Sequence, residues 1–342
     1  MRAKFKKHRL EFKRPSGTSR GVLTTKDSWF LIIEENGKTG LGECSLIEGL
    51  SPDNHLEIES LLQTICAALE SKTKLPELTQ WPAVQMGLES ALLGIQNNNQ
   101  WELFPSEFTR GEAHIPINGL VWMGKPDYMK TQINSLLDRG FDCIKLKIGA
   151  LDFKQELEVL HYLREQYDST TISIRVDANG AFTAEDALDK LQQLERFAIH
   201  SIEQPIGVNQ WEEMADLCKR SPVPIALDEE LISRTDNVER KRMLELIQPQ
   251  FIILKPSLLG GFKASKEWIS HADSLGIDWW VTSALESNVG LNAIAQWTFC
   301  LQPNGPQGLG TGSLFTNNIQ LPLQVAAGKL SIQKNGLWPI PF

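Results

Sequence analysis

The sequence predicts an α/β protein built around a parallel β/α barrel, and three observations carry that fold class. From about residue 115, short β-branched or apolar runs alternate with amphipathic stretches. The preceding segment lacks this alternation and reads as strands followed by helices, an α+β arrangement. The last stretch holds an Asn335-Gly336 turn and a Pro-rich end but no further β/α unit. The chain of 342 residues therefore divides into an α+β unit over 1–110, a barrel over 111–312, and a tail over 313–342 that packs back on the first unit.

In chain order, the opening strand carries Phe5, Leu10 and Phe12 among basic residues that mark a solvated edge. Trp29 to Ile33 and Thr39 to Cys44 flank Asn36-Gly37, a strong hairpin signal. Val84, Leu88, Ala91, Leu92 and Ile95 recur at helical spacing. The barrel strands are expected at Ile115 to Asn118, Cys143 to Ile148, Ile172 to Val176, Ile199 to Ile202, Pro224 to Leu227, Phe251 to Leu254 and Trp279 to Ser283, with Gln307 to Thr311 as the eighth. Phe153, Leu157, Leu160 and Tyr167 line one intervening helix face. Ala187, Leu188, Leu191 and Leu194 line another, where Thr183 and Asp186 are placed as a capping box. A doubly wound sheet uses the same alternation, so these runs alone leave that topology open.

Composition narrows the function. Lys plus Arg is 34 and Asp plus Glu is 42, a net charge of −8, so a nucleic-acid partner is not expected. No apolar run approaches the ~18 residues of a membrane span, and the basic N-terminus lacks the apolar stretch of a secretory signal. The five cysteines form no CxxC pair, which fits reduced thiols in the cytoplasm. GLVWMGKP (Gly119 to Pro126) nearly matches a phosphate-binding loop, but Pro stands where Ser or Thr would hold Mg²⁺.

The chemistry is legible at the strand ends. Lys145 and Lys147 lie in the second run; Asp177 and Asn179, Glu203, Asp228 and Lys255 end the next four. The steps from Lys147 to Asp177, Glu203, Asp228 and Lys255 are 30, 26, 25 and 27 residues, about one β/α unit each. In a barrel these positions converge on one mouth. Asp177, Glu203 and Asp228 make a hard, all-oxygen set suited to Mg²⁺ rather than zinc. Without a cation their charges would rest on Lys147 and Lys255 alone. Residues two apart on a strand share a face, so Lys145 and Lys147 enter one space, where a neighbouring ammonium and a metal lower a lysine toward general-base range. Such a site suits removal of a proton α to a metal-bound carboxylate.

KLKIG (Lys145 to Gly149), RVDANGAF (Arg175 to Phe182), IEQP (Ile202 to Pro205), LDEE (Leu227 to Glu230) and LKPSLLGG (Leu254 to Gly261) resemble, in that order, motifs of the enolase superfamily in its muconate-lactonizing-enzyme-like branch. Ene-diolate chemistry with a Lys base and Mg²⁺ is established for that superfamily. The resemblance implies a modified (β/α)7β TIM barrel with an N-terminal α+β capping domain completed by the C-terminal segment. It implies Asp177, Glu203 and Asp228 as Mg²⁺ ligands, with Mn²⁺ as a substitute, and Lys147 and Lys255 as the catalytic pair. Asn179 and Glu229 match supporting positions, and Lys145 the residue that tunes Lys147.

Three features bear on the substrate, a small-molecule carboxylate. In SALESNVGLNAIAQ (Ser283 to Gln296) a helix start offers N–H groups to an anion, although an ordinary N-cap reads the same. Ser283, Glu286 and Ser287 are accordingly expected at the substrate, and the resemblance adds Arg175, just before the metal strand end. The eighth run, GLGTG, has no acid to meet a substrate ammonium, unlike the DxD of the branch's dipeptide epimerases. The motifs are most similar to those of the branch's dehydratases of menaquinone biosynthesis, which eliminate water in syn fashion from a succinyl-bearing cyclohexadiene carboxylate. N-succinylamino acid racemases, dipeptide epimerases and muconate-type cycloisomerases share the residues. A Schiff-base lyase on the same barrel would need no metal, and a barrel that had lost catalysis could keep most motifs. The loops Arg14 to Arg20 and Ile47 to Pro52 match places where the family folds its cap over the barrel mouth, or are exposed hairpin connections. The sequence leaves oligomeric state undefined.

Overall fold

Alternation of burial builds the first strand: Leu10 and Phe12 are buried while Arg9, Glu11 and Lys13 are exposed. The structure, a computed structural model, describes residues 1–18, 21–149 and 151–339. Strands β1 (Arg2–Thr18), β2 (Gly21–Glu35) and β3 (Lys38–Ser45) pair antiparallel in that order. Asn36 and Gly37 form the β2–β3 turn with φ of 51° and 78°, as a tight hairpin requires. Helices α1 (Ile58–Ser71) and α2 (Pro82–Asn97) bury Ile58, Leu62, Ile65, Val84 and Leu88 against Trp29, Leu31 and Ile33. The α2–β3 approach is close because Gly40 and Gly42 lack side chains. A Cβ at either would stand 1.8 Å from the carbonyl oxygen of Ala91 or Gly87.

The following elements are β4 (His114–Pro116), β5 (Gly119–Val121), α3 (Pro126–Asp138), β6 (Cys143–Lys147), α4 (Phe153–Gln166), β7 (Ser173–Asp177), α5 (Ala184–Glu195), β8 (Ser201–Glu203), α6 (Trp211–Arg220) and β9 (Ile225–Leu227). Next come α7 (Asn237–Ile247), β10 (Phe251–Leu254), α8 (Pro256–Leu259), α9 (Gly261–Ser274), β11 (Asp278–Val281), α10 (Asn288–Leu301), β12 (Leu323–Ala326) and β13 (Lys329–Ile332). The Thr183–Asp186 capping box is formed at the start of α5. Among the described residues, β5 to β11 make one parallel sheet in chain order, the arrangement of a TIM-barrel-like domain. Parallel bridges join Thr282 to Gly308 and Ile117 to Gln307, so the segment at Gln307 lies between β11 and the residues leading into β5. On the strand face opposite Lys145, Arg175 and Glu203 lies a continuous apolar core that includes Ile144, Ile174, Ile202, Ile225 and Ile252.

Two expectations change. Ile115 to Asn118 is split: its first half lies in β4, which pairs antiparallel with β13, while Ile117 makes a parallel bridge to Gln307 and β5 begins the laddered parallel sheet. The cause is a hairpin in the tail, β12–β13, turning through Ala327 and Gly328 at φ of 47° and 65°. The exposed–buried–exposed pattern of His114, Ile115 and Pro116 marks a strand with one wet face, unlike the buried β8 and β9. Gln307 to Thr311 contributes bridges rather than a strand. The tail does return to the first sheet: Phe315 bridges Phe12, and Leu321 and Trp338 join Phe30, Ile32 and Leu41.

Candidate active site

Short strands bring distant charges together because each ends in an ionisable residue. Asp177 ends β7, Glu203 ends β8, and Asp228 and Lys255 follow β9 and β10 directly. In register, Lys147 lies opposite Asp177, and Asp177 opposite Glu203. Asp177, Glu203 and Asp228 are buried, and each offers an oxygen within 4.8 Å of the others. Lys145 Nζ lies 2.9 Å from Asp177 Oδ2 and donates to Glu203 Oε2. Lys147 Nζ donates to Asp177 Oδ2 at 2.8 Å and to Asn179 Oδ1 at 2.7 Å. Lys255 Nζ donates to Asp228 Oδ1 at 2.6 Å, on the other side of the triad. Asn179 Nδ2 in turn donates to Glu229 Oε1 at 2.9 Å.

The electrostatics follow from burial and crowding. Burial opposes ionisation of Asp177, yet the Lys145 and Lys147 ammoniums outweigh it and hold the carboxyl well below the usual carboxylate range. For Glu203, burial with the neighbouring Asp177 and Asp228 charges wins over Lys145 and pushes the carboxyl above the usual carboxylate range. Burial disfavours the Lys145 and Lys255 ammoniums, but the carboxylates around them raise both above the ordinary lysine value. Glu203 Oε1 is buried without a hydrogen-bond partner. An unpartnered carboxylate oxygen beside two further buried carboxylates fits a hard divalent cation, which would satisfy the orphaned oxygen and relieve the repulsion.

Above this cluster lies a cavity of about 910 Å³. Lys145, Lys147, Asn179, Glu229 and Lys255 line its floor, and Ser283, Ala284, Leu285, Gly308, Gly310 and Thr311 one wall. Arg14, Pro15, Gly21 to Leu23 and Ile47 to Leu50 of the first unit cover it, so both expected cap loops reach the mouth; Ser19 and Arg20 lie outside the described residues. The described lining residues include the cations Lys13, Arg14, Arg139, Lys145, Lys147 and Lys255 and the acids Glu48 and Glu229, and of these cations Lys145, Lys147 and Lys255 are paired with the buried carboxylates beneath.

Three expected substrate contacts move. Arg175 is buried beneath the carboxylate layer, its guanidinium 4.1 Å from the Trp280 ring centroid and donating to the Pro306 carbonyl at 2.8 Å. Two residues before Asp177 on β7, it points inward but one layer too deep to line the cavity. Glu286 is also buried, accepting from Ser257 Oγ at 2.6 Å and Ser283 Oγ at 2.5 Å. Ser287 caps α10, but the anion at that helix start is the protein's own Glu43. That carboxylate accepts from Ser287 N at 2.9 Å, Ser287 Oγ at 2.5 Å and Gly290 N at 2.8 Å. Ser283 alone of the four stands on the cavity wall, tied to Thr311 Oγ1 at 2.7 Å. Sequence reasoning missed Glu43 and Gln204; a glutamate inside a buried run of β3 was the available signal for the first.

Residues 128–337 match the Enolase C-terminal domain-like family model. The chain is 46% identical to o-succinylbenzoate synthase from Desulfotalea psychrophila (strain LSv54 / DSM 12343), over 97% of this chain and 99% of the relative. The chain belongs to the o-succinylbenzoate synthase family of the enolase superfamily. The crystal structure of MenC from Desulfotalea psychrophila LSv54 matches with a TM-score of 0.88 at 42% identity, over 97% of this chain and 99% of that one. Muconate lactonizing enzyme from Pseudomonas putida, at 23% identity, shares the mixed α/β fold with a TM-score of 0.79 over 98% and 94% of the two chains. Within the o-succinylbenzoate synthase family, this chain carries the buried triad and flanking lysines as one connected cluster. No helix among the described residues is long and apolar enough to cross a membrane.

Proposed function

We propose that the chain is a Mg²⁺-dependent o-succinylbenzoate synthase, eliminating water from a succinyl-bearing cyclohexadiene carboxylate to give 2-succinylbenzoate in menaquinone biosynthesis. The observation that carries the reading is the placement of Lys147 and Lys255 on opposite sides of three buried carboxylates under one cavity. Asp177, Glu203 and Asp228 would hold the ion, with Mn²⁺ as a substitute. When bound, the ion supplies positive charge that draws in a substrate carboxylate and acidifies its α-hydrogen.

Lys147, as the neutral amine, takes the α-proton. Lys255, as the ammonium, faces the substrate from the other side and stabilises the negative charge that develops on the carboxylate oxygens. The electron pair left by the proton forms the new carbon–carbon double bond as the neighbouring carbon–oxygen bond breaks. Lys147 then returns its proton to the departing hydroxyl on the same face, which releases water and restores the amine. Lys145 fixes Asp177 and Glu203, while Asn179 and Glu229 hold Lys147 in place. Ser283 is assigned to the substrate's distal end.

We read the architecture as a modified (β/α)7β barrel over 111–312, capped by residues 1–110 and the returning segment 313–342. The five cysteines are unpaired, and we place the chain in the cytoplasm. A dipeptide substrate is disfavoured because no acid faces its ammonium from Gly308, Gly310 or Gly312. Gly308 also has no room for one, since a Cβ there would stand 2.0 Å from Thr282 Oγ1. The test is kcat/KM for the succinyl-bearing acid beside dipeptides in one preparation, with Lys147→Ala and Lys255→Ala as controls. The acid should be turned over far better and each lysine variant should lose it. Comparable dipeptide turnover, or a borohydride-trapped substrate adduct, would contradict the assignment.

A further inference from the structure

The β8–β9 ladder stops with Glu203 opposite Ala226, two residues short of Asp228. Asp228 itself leaves strand geometry, with φ of −123° and ψ of −84°. The sheet alone therefore does not fix Asp228 against Glu203, although their like charges repel. Gln204 spans this gap. It is 1% exposed and adopts a left-handed φ of 38°, costly for a residue with a side chain and sustained only where surrounding bonds impose it.

Those bonds reach all three carboxylate-bearing strand ends. Gln204 N donates to the Ala226 carbonyl at 2.9 Å, and its own carbonyl accepts from Gly180 N at 2.6 Å, in the loop after Asp177. Its side-chain Oε1 accepts from Asp228 N at 3.2 Å and from Glu230 N at 3.3 Å. Nε2 donates to the Ile206 carbonyl at 3.0 Å. The side chain thus continues the ladder where the backbone ceases to, and holds the peptide that carries Asp228.

We propose that Gln204 is the positioning residue that sets Asp228 and Glu203 at cation-binding separation, so that divalent-ion affinity depends on its side-chain oxygen. The inference rests on the reading of Asp177, Glu203 and Asp228 as the holders of the ion. Gln204→Met preserves length and removes the acceptor from two buried N–H groups; Gln204→Asn keeps the amide but withdraws it by one methylene.

The experiment titrates Mg²⁺ alone into chelator-stripped protein by calorimetry, with thermal melting recorded on the same metal-free samples. Partners that orient metal ligands typically matter by 10–100-fold in affinity, and a loss of about that size is expected for Gln204→Met. Gln204→Asn should lose about 10-fold, and it carries the test if the Met variant does not fold. A merely structural role would lower the melting temperature and leave the Mg²⁺ dissociation constant in place. A folded variant that binds Mg²⁺ within about threefold of the parent overturns the role of Gln204 while the triad reading stands. If the parent binds no Mg²⁺, or Glu203→Gln binds as tightly as the parent, both fall together.

Discussion

Replacing Glu43 by Ala should weaken the seam between the first sheet and the start of α10. Glu43 is 2% exposed and accepts from Ser28 Oγ at 2.7 Å as well as from Ser287 and Gly290 at the start of α10. Removing it strands two backbone N–H groups at a buried helix start, each worth about 1–3 kcal/mol. It also withdraws a counter-charge from Lys26, whose pKa burial already lowers and Glu43 pulls back up. Together these imply a loss of about 3–5 kcal/mol, the scale seen when one member of a buried charge pair is removed. At about 2–3 °C per kcal/mol for a chain of this size, the melting temperature should fall by roughly 6–15 °C. Glu43→Gln, which keeps one acceptor oxygen, should fall about half as far. Differential scanning calorimetry of the three proteins in one buffer is the assay. A Glu43→Ala melting temperature within about 2 °C of the parent would refute the reasoning.

Two further outcomes follow from buried charges elsewhere. Burial pushes the Asp53 carboxyl up to about 7, against the Ala83 and Val84 N–H groups it accepts. Its folded value thus exceeds the unfolded ~3.9, so its stabilisation is complete below about pH 4 and is lost as pH rises through about 7. Asp53→Asn should flatten the decline in melting temperature over that window, and parallel curves for the two proteins would count against it. Arg175→Met should cost about 2–3 kcal/mol through the lost Trp280 and Pro306 contacts while leaving substrate KM unchanged. A tenfold rise in KM with unchanged stability would return Arg175 to the substrate.

The strand-end charges were legible because lysines and carboxylates interrupt apolar runs at the interval of a β/α unit, and Asp177, Glu203, Asp228, Lys147 and Lys255 do meet. Topology was less so. Ile115 has the composition of a barrel strand, and only the β12–β13 hairpin reveals that it pairs elsewhere. The helix start at Ser287 was recognisable as an anion site, but its anion comes from Glu43, 244 residues away, and separation of that order leaves no local trace. Arg175 sits at the right alternation and the wrong depth, since period-two reasoning gives the face of a strand and not the layer. Gln204 was hidden for a different reason: its role depends on a left-handed backbone and on a side-chain oxygen reaching Asp228 across a ladder that ends early.

The most direct test of the account is turnover of the succinyl-bearing cyclohexadiene carboxylate by purified protein, followed as 2-succinylbenzoate formation while divalent ions are removed and restored. The account predicts turnover with Mg²⁺, its disappearance in excess chelator, and its recovery on adding Mg²⁺ or Mn²⁺. Full turnover in excess chelator would contradict it, because Asp177, Glu203 and Asp228 would then not serve the reaction by holding an ion.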